Sequence, residues 1–163
     1  MIFNFLKKEY NHKKDEKLML EIFRLLPKEE EFSFIFQQLN ESILIGVRKI
    51  NKKPYLNYTK FNMNTSLLNK YENKNGRFFQ IKGITVFDLD TCKYIEVNID
   101  IAFGLLMGYS TPQKETVNFD LTKIKIDGFF IKYFSNNDFE SISGLLEKSE
   151  MKLINPSDVY EIT

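Results

Sequence analysis

This chain has one cysteine, one histidine and no tryptophan. A single cysteine closes no disulfide within the chain and builds no cysteine zinc cluster, and a single histidine excludes a multi-histidine metal site. Seven glycines and four prolines are too few for a fibrous or low-complexity chain. No apolar run approaches the length that spans a bilayer. What the sequence does have is ring-rich apolar content, with sixteen Phe and eight Tyr in 163 residues. A chain of this length buries about 70% of its unfolded surface, enough for one core without covalent or metal staples. The reading is therefore one domain, residues 1–163.

The N-terminus, Met1 to Tyr10, places its apolar residues before its lysines, the reverse of a secretory signal. Together with a lone thiol, Cys92, this gives a cytoplasmic expectation. Heavy use of Asn, Ile and Lys suggests coding from an AT-rich, bacterial genome.

Periodicity then sets the fold class. Leu18, Ile22, Leu25 and Leu26 recur at helical spacing, widened by Met19 and Phe23, and Pro27 should end that helix and suit the first turn of the next. Phe32, Ile35, Phe36 and Leu39 make a second amphipathic face. From Ser42 the period becomes two: Ile43, Ile45 and Val47 alternate with Leu44, Gly46 and Arg48. Tyr55, Asn57, Thr59 and Phe61 alternate in the same way. A short helix is expected near 66–71, a strand over 78–89 and a long β-rich run over 94–109. Asp127-Gly128, between two β-rich runs, predicts a two-residue hairpin turn. Asn137 to Glu140 has capping-box spacing before an amphipathic helix near 138–149, and Val159 to Ile162 reads as an edge strand. Helices, then strands, then a helix imply an α+β domain. It should have an N-terminal helical hairpin, a central mainly antiparallel sheet of about five to seven strands, and a C-terminal covering helix.

Val86-Phe87-Asp88-Leu89-Asp90-Thr91-Cys92 resembles the first motif of haloacid-dehalogenase-like phosphatases. That resemblance implies Asp88 as nucleophile and Asp90 as acid/base, with Mg²⁺ between them. The pattern departs at Cys92, and an alternating strand begins at Tyr94 where that family needs a helix. A β-hairpin closed by an Asp-Leu-Asp-Thr turn is the better reading. Gly104 to Gly108 lacks the further glycines and the Lys-Ser/Thr of a phosphate loop, and reads as a bulge, a bend or a close backbone approach. His12 has no orienting neighbour and Cys92 only Lys93. No nucleophile–base pair survives, so the reading leans away from an enzyme, with no cofactor and no metal. An all-carboxylate metal site from Asp88, Asp90 and Asp100 is the remaining catalytic alternative.

Charge is the feature above background. Residues 48–82 carry nine cations against the single acid Glu72, a net of +8, whereas the segments before and after are net −1 and −6. Arg48, Lys52, Lys53, Tyr55, Tyr58, Lys60, Lys74 and Arg77 are the candidate partner-binding residues. One reading of these charges is purely structural, since lysines on exposed strand edges discourage sheet-to-sheet aggregation and aromatic residues pack well in strands. A binding reading favours a protein surface, because seven of the nine cations are Lys and phosphate clamps are usually richer in Arg. The expectation is a non-catalytic interaction domain with a protein partner and no membrane. In general compositional character it is similar to bacterial toxin-immunity proteins, a likeness that assigns no residue. Single-stranded nucleic acid on the basic, aromatic segment 48–82 is the alternative partner.

Overall fold

The computed structural model describes residues 12–52, 56–73, 78–112, 116–133 and 152–153. Helices α1 (His12–Leu25) and α2 (Glu30–Asn40) come first, followed by strands β1 (Leu44–Lys52) and β2 (Leu56–Met63). Helix α3 (Thr65–Tyr71), then β3 (Phe79–Asp88), β4 (Lys93–Ala102), β5 (Leu105–Thr111), β6 (Phe119–Tyr133) and the two-residue β7 (Lys152–Leu153) complete the order. Among the described residues seven strands form one sheet in the order β1-β2-β5-β4-β3-β6-β7, with every pairing antiparallel. The fold is α+β, helical hairpin first and sheet after. The helix expected near 138–149 and the strand at Val159–Ile162 lie outside the described residues.

Apolar periodicity explains the packing. Leu18, Met19, Ile22 and Phe23 of α1 and Phe32, Ile35 and Leu39 of α2 are buried in one cluster with Ile81, Ile84, Val86, Val97, Ile99 and Phe129 of the sheet. Rings fill the seam, with Phe32 edge-on to Phe23 and to Phe129 at 6.2 and 5.6 Å between centroids. Leu25, expected on the buried stripe, is instead 48% exposed, because Met19 and Phe23 turn the buried face away from it. Pro27 lies in the connection before α2, whose N-cap is Glu29, so it ends α1 without entering the next helix. Asn64 caps α3, its side chain accepting from Ser66 N–H at 3.0 Å.

Three strand expectations change. The run 94–109 is a hairpin: Phe103 and Gly104 both have positive φ (53° and 75°), the backbone of a primed two-residue turn. Asp127-Gly128 makes no turn. Both halves of β6 pair with β3, and the register skips there, with Lys82 opposite Phe130 and Ile84 opposite Ile126. The extra β6 residues face Gly83, at φ 89°, where a side chain would collide with the Gly128 carbonyl. The two glycines thus make a bulge between long strands where the dipeptide alone suggested a reversal. In β1 the register shifts between Leu44 and Gly46, so Leu44 is buried and Ile45 is 58% exposed, breaking the simple alternation of Ile43, Ile45 and Val47.

Candidate functional site

The β1–β2 hairpin carries the described part of the basic segment, and its pairing decides where each cation goes. Arg48 lies directly opposite Lys60, and Lys49 directly opposite Thr59. Successive side chains of a strand point to opposite faces, so Arg48 and Lys49 serve different surfaces.

On the face away from the helices the row continues from Arg48 and Lys60 through Gly108 and Asp100 to Gln80. Gln80 Nε2 donates to Asp100 Oδ1 at 2.7 Å. Tyr58, in the adjacent row, reaches across β5 over Gly108: a Cβ there would sit 2.7 Å from the Tyr58 hydroxyl and 2.8 Å from Cζ. The missing side chain lets the phenol hydrogen-bond Asp100, and burial, followed by that negative charge, pushes its pKa up. Gly108 therefore fits the close-approach reading. Tyr58, expected as an exposed ring for a partner, is half-buried with its hydroxyl already engaged.

Arg48 is exposed and Lys60 half-buried. Ion pairs among the described residues join Lys13 to Glu16, Arg24 to Glu21, Lys49 to Asp15, Lys70 to Glu41 and Lys123 to Asp120, none involving Arg48 or Lys60. Of the other candidates, Lys53, Tyr55, Lys74 and Arg77 lie outside the described residues, and Lys52 is placed by its backbone alone, opposite Leu56. The basic segment is also split further along, since Lys70 is held by both oxygens of Glu41 at 2.6 and 2.7 Å on α3, away from the hairpin.

On the helix face Lys49 enters a polar network that sequence reading missed. Its Nζ donates to Asp15 Oδ1 at 3.1 Å, to Thr59 Oγ1 at 2.6 Å and to the Tyr109 hydroxyl at 3.4 Å. Tyr109 in turn donates to the same Asp15 oxygen at 2.5 Å. Burial first, then the Asp15 charge, raises the Tyr109 pKa, so the phenol stays protonated. The network forms the floor of a cleft of about 650 Å³ between α1, the hairpin, the end of β5 and residues 116–121. Strand parity held one clue: Lys49 shares a face with half-buried Val47.

The Asp-rich motif is structural. Both Asp88 oxygens are taken: Oδ2 accepts from Thr91 N–H and Oγ1 at 3.2 and 2.6 Å, and Oδ1 from Asn118 N–H at 3.0 Å. Asn118 Nδ2 also donates to Asp90 Oδ1 at 3.3 Å. The turn joins antiparallel β3 and β4, as the hairpin reading expects, and Cys92 sits in it, exposed, at φ 55°. Asp100 pairs with Gln80 at the far end of the same ladder, about 23 Å of strand from Lys93, which lies opposite Asp88. The three carboxylates therefore do not meet. No group of three or more His, Cys, Asp or Glu among the described residues is arranged to hold a metal ion, and no described helix is long and apolar enough to cross a membrane.

The chain matches no family model, no curated protein and no solved structure.

Proposed function

We propose that this chain is a non-catalytic interaction domain that recognises an acidic protein surface through the outer face of its β1–β2 hairpin. The observation that carries the reading is the directly opposed pair Arg48 and Lys60. Like charges facing each other across a ladder cost stability, up to about 1 kcal/mol, and these two have no carboxylate partner among the described residues. An acidic partner surface relieves that repulsion and speeds association. The Tyr58 ring, half-buried and laid down over Gly108, favours a protein over single-stranded nucleic acid, which needs rings free to stack. A toxin-neutralising role of the immunity-protein kind is one form this activity takes, supported by compositional likeness.

The test is capture from the native host with folded wild-type chain and with an Arg48→Glu/Lys60→Glu variant as baits. A stoichiometric acidic protein that is held by the wild type and lost by the variant supports the reading. A partner held equally by both baits, or none held by either, refutes it. Salt-sensitive oligonucleotide binding abolished by the same variant would move the reading to nucleic acid.

A further inference from the structure

The cleft on the helix face has a spent floor and an unspent rim. Lys49 uses all three ammonium donors on Asp15, Thr59 and Tyr109, and the Asp15 oxygen facing it already accepts from both Lys49 and Tyr109. The floor is thus an electrically neutral, hydrogen-bonded platform. Above it, Lys14 and Lys17 line the cleft from α1. They are exposed, three residues apart on one helix face, and absent from every ion pair among the described residues. Two cations at this spacing repel each other. The facing wall carries apolar surface from half-buried Val117, Phe119 and Leu121. A volume of about 650 Å³ falls within the range of sites for small molecules.

The geometry points to a binding site for a small amphipathic oxyanion, its phosphate or carboxylate head between Lys14 and Lys17 and its apolar body against Val117, Phe119 and Leu121. A cation is disfavoured, because the one carboxylate lining the cleft is committed to Lys49 and Tyr109. A polymer is disfavoured by size. The site lies on the opposite sheet face from Arg48 and Lys60 and stands independently of the partner reading.

Titration of the full chain, followed by amide ¹H–¹⁵N shifts, tests it with four probes: phenyl phosphate, benzoate, inorganic phosphate and benzamidine. The expected result is saturable movement of the amides of residues 14–18 and 116–121 with phenyl phosphate or benzoate, the stronger of the two identifying the head group. Inorganic phosphate, lacking the apolar body, should bind at least ~10-fold more weakly, and benzamidine should leave these amides unmoved. Lys17→Gln, an exposed substitution that leaves the floor intact, should weaken the preferred anion ~5–10-fold with the rest of the spectrum unchanged. Arg48→Glu should leave the titration as it is. The proposal is overturned if neither organic anion saturates below ~10 mM, if inorganic phosphate matches them, if benzamidine binds as well, or if Lys17→Gln binds like wild type.

Discussion

Arg48 and Lys49 are adjacent, alike in charge, and drawn from the same basic segment, yet the two faces of the hairpin use them in opposite ways. On the helix face Lys49 is tied to a carboxylate and two hydroxyls, and its side chain is 32% exposed against 11% for Asp15. On the outer face Arg48 stands across from another cation. The inner face uses charge to hold α1 on the sheet. The outer face keeps charge in excess. Net charge along a sequence therefore says little until strand parity assigns each residue to a surface.

The largest expected effect tests whether the outer face is built as deliberately as the inner one. Gly108→Ala puts a methyl group against the Tyr58 ring and the Thr59 carbonyl. It should cost about 3 kcal/mol, read as a lowered urea midpoint with unchanged slope. Tyr58→Leu in the same background should recover only part of that loss, the part due to the ring, because the Thr59 carbonyl oxygen, the nearest atom, still crowds the methyl group. No recovery with Tyr58→Leu would mean that the Tyr58 ring does not lie over Gly108.

Next in size is the contrast between the neighbouring cations. Lys49→Met keeps the aliphatic stem but leaves Asp15 partly buried without its ammonium. The cost of breaking a fully buried pair is reduced here because Lys49 is about a third exposed, leaving a loss of about 1–2 kcal/mol. Arg48→Met should stay within about 0.5 kcal/mol of wild type. Equal effects of the two substitutions in denaturant melts would erase the distinction between the faces.

Tyrosine ionisation compares the faces by a different route. Tyr58 outside and Tyr109 inside both have raised pKa values, through burial and then through Asp100 and Asp15 respectively. In the unfolded chain each would lose its proton near pH ~10. Above that pH the unfolded state binds fewer protons than the folded one, so this contribution to stability is complete below pH ~10 and falls as pH rises. Phenolate absorbance should show Tyr58 and Tyr109, together with buried Tyr71, ionising only with loss of the circular-dichroism signal. Asp100→Asn should ease Tyr58 alone and Asp15→Asn Tyr109 alone.

What was legible in the sequence was what local pattern encodes. Period 3.6 over Leu18–Phe23 and Phe32–Leu39 gave the helices. Period two over Ile95–Ile101 gave the half-buried strand. The close spacing of Asp88, Asp90 and Thr91 gave a turn that satisfies its own backbone. Asp127-Gly128 misled because a turn dipeptide reports local backbone preference, whereas the partner strand, with Gly83 at positive φ, decided that the chain runs on. The Lys49 network was out of reach for a related reason. Asp15 and Tyr109 lie 34 and 60 residues from Lys49, and the sheet order that joins β2 to β5 brings them together. Of the eight candidate interface residues, pairing brings Arg48 and Lys60 together, and Tyr58 lies across Gly108 onto Asp100 on the same outer face.

The smallest expected effect is the sharpest test of why the outer pair exists. Arg48→Glu sets a carboxylate opposite Lys60 and converts a repulsive cross-strand pair into an attractive one. Arg48 is exposed, so the gain is screened and should amount to a few tenths of a kcal/mol, shrinking as salt is raised. A folded state slightly stabilised by removing the charge would show that the wild-type arrangement is held at a cost, which selection for folding does not explain. Loss of partner capture by the same variant, with no gain in aggregation, assigns that cost to binding and not to protection of the β1 edge. If Arg48→Glu instead destabilises the chain as much as Lys49→Met, then Arg48 belongs to the scaffold, and the outer face loses its claim as the interaction surface.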